Sequence, residues 1–168
     1  MNGMHNVGHH LQIQAHNKDK AMYDREAFAR SAYNRYYYAC YLHLQSELGE
    51  MNPGWKCRYH RNYPEFIKGK IKEHFSKEKR RIGSHDRKLS RDIRSAIQSL
   101  YEAAEILERA NKTRVVADYR PETRVEFKGT DRFSLNSLNI TDAHGWYINI
   151  QTLMKDVRRA WGQINVRH

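Results

Sequence analysis

The residues with chemistry to offer are cations, imidazoles and phenols crowded into a few short stretches. From Trp55 to Arg61 the chain reads Trp-Lys-Cys-Arg-Tyr-His-Arg, so Lys56, Arg58 and Arg61 are interleaved with Trp55, Tyr59 and His60. Cations hold phosphates and aromatic faces stack on bases, which makes this the most RNA-like composition in the chain. Pro53-Gly54 marks it as a loop, and loops carry function more often than core helices do. Arg35 sits in a second such stretch, where five of the nine residues from Tyr33 to Tyr41 are tyrosines. Helical spacing there favours an aromatic packing surface over exposed platforms for bases. A buried Arg35 would need an anionic partner, because an unpaired charge in a core costs several kcal/mol. Arg114 and Asp118 stand four apart, with Tyr119 beside them, and the plain reading of that spacing on a helix is a salt bridge. His5, His9, His10 and His16 match no common metal-site spacing and lie near no Cys or carboxylate cluster, so solvated imidazoles are expected rather than metal ligands.

The elements that position these groups are legible from periodicity. Across Arg87–Tyr119 the residues Leu89, Ile93, Ala96, Ile97, Leu100, Ala103, Ala104, Leu107 and Ala110 recur every three or four positions. That is one apolar stripe of a long helix, with Arg87, Lys88, Arg91 and Arg94 on its other face. His85-Asp86 offers an N-cap, and Pro121 ends the pattern. A tyrosine-rich helix is expected over 24–48, closed by Gly49, and a lysine-rich one over 64–81. A last helix over 141–165 should bury Trp146, Ile150, Leu153, Met154, Val157, Ala160, Trp161 and Ile164. Residues 1–10 read as a loose tail, and 120–139 as a small hairpin or irregular insertion. The fold class is therefore all-α, a four- to five-helix bundle in one domain covering 1–168.

Charge narrows the partners. The 168 residues hold 30 Lys and Arg against 19 Asp and Glu, a net charge of +11, which favours polyanions. No apolar run reaches the length of a membrane span and no signal-peptide core follows the N-terminus, so a membrane partner is not expected. Cys40 and Cys57 form no metal-spacing motif and read as reduced thiols of a cytoplasmic protein. Lys68, Lys70 and Lys72 add to the basic loop that precedes them.

The order of these landmarks resembles a known family. Ser31-Ala-Tyr-Asn-Arg-Tyr-Tyr-Tyr-Ala-Cys-Tyr-Leu-His43 is similar to the first-helix signature of HEPN domains (higher eukaryotes and prokaryotes nucleotide-binding), in which an Arg precedes a Tyr-Tyr-Ala run. Lys56-Cys-Arg-Tyr-His60 followed by Phe66-Ile67 resembles that family's Lys-x-x-His region. Arg114-Val-Val-Ala-Asp118-Tyr119 resembles its Arg-x-x-Ala-Asp-Tyr segment, and the likeness spans about residues 24–164. The resemblance implies a helical bundle, often a homodimer, in a prokaryotic defence or toxin–antitoxin system, and often partnered by a nucleotidyltransferase. Active members cut RNA without metal or cofactor, using an Arg followed four to six residues later by a His. Histidine suits proton transfer near neutral pH, and the guanidinium fork suits the charge building on phosphorus. This chain departs from the pattern: Asp118 stands four residues after Arg114, Tyr119 five after it, and no His follows at either place. Arg80 and His85 have the spacing, but Ile82-Gly83-Ser84 intervenes, away from the family motif's helix boundary. Three expectations follow: an RNA-interacting module gripping phosphates through the basic loop and Lys68–Lys72; a metal-independent ribonuclease drawing on Arg35, His60, Arg80, His85 and Arg114; and a non-catalytic subunit of a nucleotidyltransferase or larger effector.

Overall fold

The structure, a computed structural model, describes residues 3–56, 60–83, 85–129 and 132–166. It is mostly helical, with one small antiparallel sheet before the last helix. In order come α1 (Gly3–His16), α2 (Met22–Met51), 3-10 turns at Pro53–Trp55 and His60–Asn62, α3 (Tyr63–Phe66), a π-helical turn at Ile67–Ile71, α4 (Lys72–Ile82), α5 (Arg87–Tyr119), β1 (Val125–Lys128), β2 (Arg132–Leu135), β3 (Leu138–Asn139) and α6 (Ile140–Asn165). The chain divides into two compact units, Met1–His43 with Glu108–Tyr147, and Leu44–Leu107 with Ile148–His168.

The first unit is built on the tyrosines of α2. Tyr33, Tyr36 and Tyr37 are fully buried along with Ala29, Ala32, Phe133 and Leu135. Their hydroxyls are not abandoned in the core: Tyr33 donates to Leu138 O at 2.7 Å and Tyr36 to Gln12 Oε1 at 2.6 Å. Residues expected to be a loose tail instead form α1. Its Gly and His content makes it a poor helix by propensity, so tertiary packing supplies the stability. Gly8 is the close-approach point, since a Cβ there would lie 2.9 Å from two ring carbons of Tyr36. Arg25 Nε caps the far end through Ala15 O at 3.0 Å. The sheet pairs Val125 with Leu135 and Phe127 with Phe133. A two-residue turn, Asn136 (φ 49°) and Ser137 (φ 65°), leads into β3, both positive angles as a type I′ hairpin requires.

The second unit buries Leu44, Leu48, Tyr63, Ile67, Ile71, Phe75, Leu100, Leu107, Ile150, Met154 and Val157. The tyrosine-rich helix runs past Gly49 to Met51, where Asn52 takes over by accepting from Gly54 N–H at 2.8 Å. The expected lysine-rich helix is instead split into α3, a π turn around Gly69, and α4. Gly83, with φ 59°, ends α4, a conformation that favours glycine. Asp86 caps α5 by accepting from Leu89 N–H at 2.8 Å. Leu153 and Trp161, expected in the core, are only half-buried; Trp161 instead edges Trp55 at 4.9 Å and tilts over His74 at 5.5 Å.

Candidate functional site around Arg114

The last turns of α5 place Arg114 and Asp118 on one face, and the side chains meet at 3.1 Å. Arg114 Nη2 also donates to Asn111 Oδ1 at 3.3 Å, one turn earlier. The guanidinium lies over two aromatic rings, 5.6 Å from Tyr37 and 5.8 Å from Tyr119. Its side chain is 11% exposed and that of Asp118 is 27% exposed. From α2, Asn34 Nδ2 reaches both Asp118 oxygens, at 2.9 and 3.0 Å. The result is a carboxylate gripped on two sides, with an arginine lying over a buried tyrosine.

Electrostatics keep this arginine charged. Burial works against the cation, but the hydrogen bond and charge of Asp118 outweigh it, with Tyr38 and Tyr119 adding to the effect, so its pKa is raised above the ordinary arginine value. Burial also pushes the Tyr37 phenol well above its usual range, so it stays protonated. Two polar atoms are left over: Arg114 Nε and Asn34 Oδ1 are buried without a hydrogen-bond partner among the described residues. An unmade buried hydrogen bond costs about 1–3 kcal/mol.

The other expected site residues are scattered. Arg35, expected in an ion pair within the core, is half-exposed and touches Met4 Sδ at 3.9 Å, with no carboxylate partner among the described residues. His60 is half-buried in a 3-10 turn of the second unit, where Arg80 and His85 are also found, both exposed. Lys68 pairs with Glu105 at 2.8 Å and lies 4.9 Å over Tyr101, so it is committed within the protein. Lys70 sits 5.9 Å over Phe66, while Lys72 and Arg61 are exposed. Lys56 packs its stem against Gly49. Arg58 and Tyr59 lie outside the described residues.

The histidines near the N-terminus are not simply solvated. The His5 ring packs at a tilt against His144 at 4.7 Å and Tyr147 at 5.2 Å, and His9 lies 5.1 Å from His144. His144 Nδ1 is 2.9 Å from Tyr36 Oη. Burial, then His5 and His9, lowers the His144 pKa below the ordinary histidine value. Among the described residues no group of His, Cys, Asp and Glu is arranged to hold a metal. Asn34 and Asn111 are site residues that sequence reasoning missed; for Asn34, an asparagine in the middle of a tyrosine-rich helix, where it is a poor former, was its only local signal. Compared with family models, curated proteins and solved structures, the chain matches none.

Proposed function

We propose that this chain is a HEPN-like RNA-interacting protein of a prokaryotic defence or toxin–antitoxin system. The observation that carries the reading is the Arg114 constellation: a charged guanidinium, 11% exposed, lying over aromatic rings and braced by Asp118. It falls in the segment that resembles the family's Arg-x-x-Ala-Asp-Tyr, on the last turns of a helix. Guanidinium forks and tyrosine faces are the groups with which proteins hold phosphates and unstacked bases. Val115 and Tyr119 leave apolar surface exposed next to Arg114, which supports a homodimer in which the site faces a second copy. Among the described residues no helix is long and apolar enough to cross a membrane.

RNA holding is favoured over RNA cutting because, among the described residues, the groups touching Arg114 are a carboxylate, one amide and two phenols, with no imidazole to shuttle protons near neutral pH. The ribonuclease reading keeps one specific support, the unused Nε–H of Arg114, a donor that a phosphate oxygen could take if Asp118 swung away. The test is Arg114→Ala in purified protein, with RNA binding and RNA cleavage in EDTA measured beside thermal melting. Loss of RNA binding in the folded fraction supports the reading. Unchanged RNA binding by a folded variant sinks it, and EDTA-resistant cleavage lost on substitution replaces it with the ribonuclease.

A further inference from the structure

A strip of cations without ion-pair partners among the described residues runs beside the α4–α5 connection in the second unit, and of these Arg80 feels a nearby carboxylate, that of Glu73. Two recesses of about 250 and 530 Å³ adjoin at Gly83 and Ser90, which line both, and are together termed the groove. Arg87, Arg91 and Arg94 line one part of it, and Lys79 and Arg80 the other. Arg87, Arg91 and Arg94 recur at four- and three-residue steps on one face of α5, advancing about 6 and 4.5 Å along its axis. None of the five makes an ion pair among the described residues.

That pattern is not a shortage of carboxylates. Two of the three α4 cations off the groove are paired, Lys77 with Glu73 at 2.9 Å and Arg81 with Glu78 at 2.8 Å, while Lys72 is exposed. Three acidic residues fall between Ser76 and Ile97, and each is engaged elsewhere. Glu78 holds Arg81, Asp86 caps Leu89 N–H, and Asp92 takes Gln163 at 3.0 Å and Arg159 at 3.7 Å. The first turn of α5 carries Arg87 and Lys88 and no acid, so cations sit at the helix end whose dipole already repels them. Folding gains nothing from five like charges kept together; a polyanion does.

We propose that this groove binds the phosphate backbone of nucleic acid without reading its bases, a second contact surface of the RNA-interacting reading on which it rests. Among the described residues no aromatic side chain lines either recess and Ile97 is the one large apolar lining residue, so they offer no platform on which a base can stack. A row of guanidinium forks at near-regular spacing matches charges repeated along a strand. An acidic protein partner would share the charge but not that repeat.

The experiment titrates the intact protein with short fluorescent RNAs, one single-stranded and one duplex, across salt from about 50 to 200 mM. R91Q/R94Q removes two groove charges, and K77Q/R81Q removes two charges from the paired face, leaving both variants with the same net charge. Thermal melts confirm that both are folded. We expect R91Q/R94Q to lose about tenfold in affinity for both RNAs, with the single-strand salt slope falling by about 1.4, and K77Q/R81Q to change little. Equal losses in the two variants would overturn the groove in favour of net charge alone. Unchanged binding by R91Q/R94Q overturns the groove while leaving the RNA-interacting reading in place. Wild-type protein that binds neither RNA at the lowest salt removes that reading as well. Polyglutamate that displaces RNA as well as an equal charge of poly(U) would assign the groove to an acidic protein instead.

Discussion

At the scale of single residues, Arg114 separates three energetic regimes. A solvent-exposed i,i+4 pair contributes only about 0.3–0.5 kcal/mol, whereas breaking a fully buried one costs about 3–5 kcal/mol. With Arg114 at 11% exposure and Asp118 at 27%, the pair lies between those limits, and Arg114→Ala should destabilise by about 2 kcal/mol in thermal or urea melts. Arg114→Lys keeps the charge but loses the fork and the guanidinium plane that lies over Tyr37 and Tyr119, and should recover less than half of that loss. A melt indistinguishable from wild type for the alanine variant would show that the pair is energetically a surface pair. The pairing of Arg114 with Asp118 was legible in the sequence because it depends on spacing alone. Asn34 was not, because its partner is 84 positions away and only the fold brings the two together. The pairing of Lys68 with Glu105 had no local signal for the same reason, since the two stand 37 positions apart.

At the scale of elements, legibility tracked the source of each helix's stability. The apolar stripe of α5 announces itself at any reading, since its period of 3.6 is written into Leu89, Ile93, Leu100 and Leu107. In α1 the helix owes little to propensity and depends on Gly8 meeting Tyr36, a fact with no local signature. That contact makes Gly8→Ala informative. Alanine should gain about 1 kcal/mol of helix propensity over glycine, yet its Cβ would fall 2.9 Å from a fully buried ring. Overpacking a core costs about 1–3 kcal/mol, so the sterics should win and the variant should melt lower than wild type. A higher melting temperature would mean that Tyr36 yields. Docking of α1 should also respond to acid. The His144 pKa is lowered in the folded protein, so protonation favours the unfolded chain: the stability is fully present above about pH 6.5 and is lost as pH falls through the folded value. Among the described residues His5, His9 and Tyr36, whose hydroxyl also meets Gln12, lie against it, and none of these supplies a negative charge to offset the proton. His144→Gln should flatten the decline in melting temperature between about pH 7 and pH 5. An unchanged decline would place its origin in other groups.

At the scale of the whole molecule, neither compact unit is a continuous stretch of chain. Each is assembled from two segments, so α2, α5 and α6 each contribute residues to both. Segment 44–107 lacks Ile150, Met154 and Val157, which complete the buried set of its unit. Expressed alone, it should show helical circular dichroism without a cooperative thermal transition, and adding a peptide covering 148–168 should restore one. A sharp transition for the isolated segment would mean that α6 is dispensable there. Nothing in the composition or the helix periods foretold this division, because it is a property of which segments meet and not of any one of them. The basic groove was hidden in the same way: a tally of 30 Lys and Arg reveals an excess, but not which cations the carboxylates leave bare.

Arg30 carries a further consequence. From α2 its guanidinium donates to Val116 O at 3.4 Å, Ala117 O at 3.2 Å and Arg120 O at 3.3 Å, and also to Thr123 O, while Glu26 steadies it at 2.9 Å. Those carbonyls belong to the end of α5 or follow it directly, where a helix ordinarily frays because its last oxygens have no partners. A single side chain thus suppresses local opening in the turn that displays Arg114, Asp118 and Tyr119. Their arrangement is held before any ligand arrives, and association forfeits correspondingly less conformational entropy.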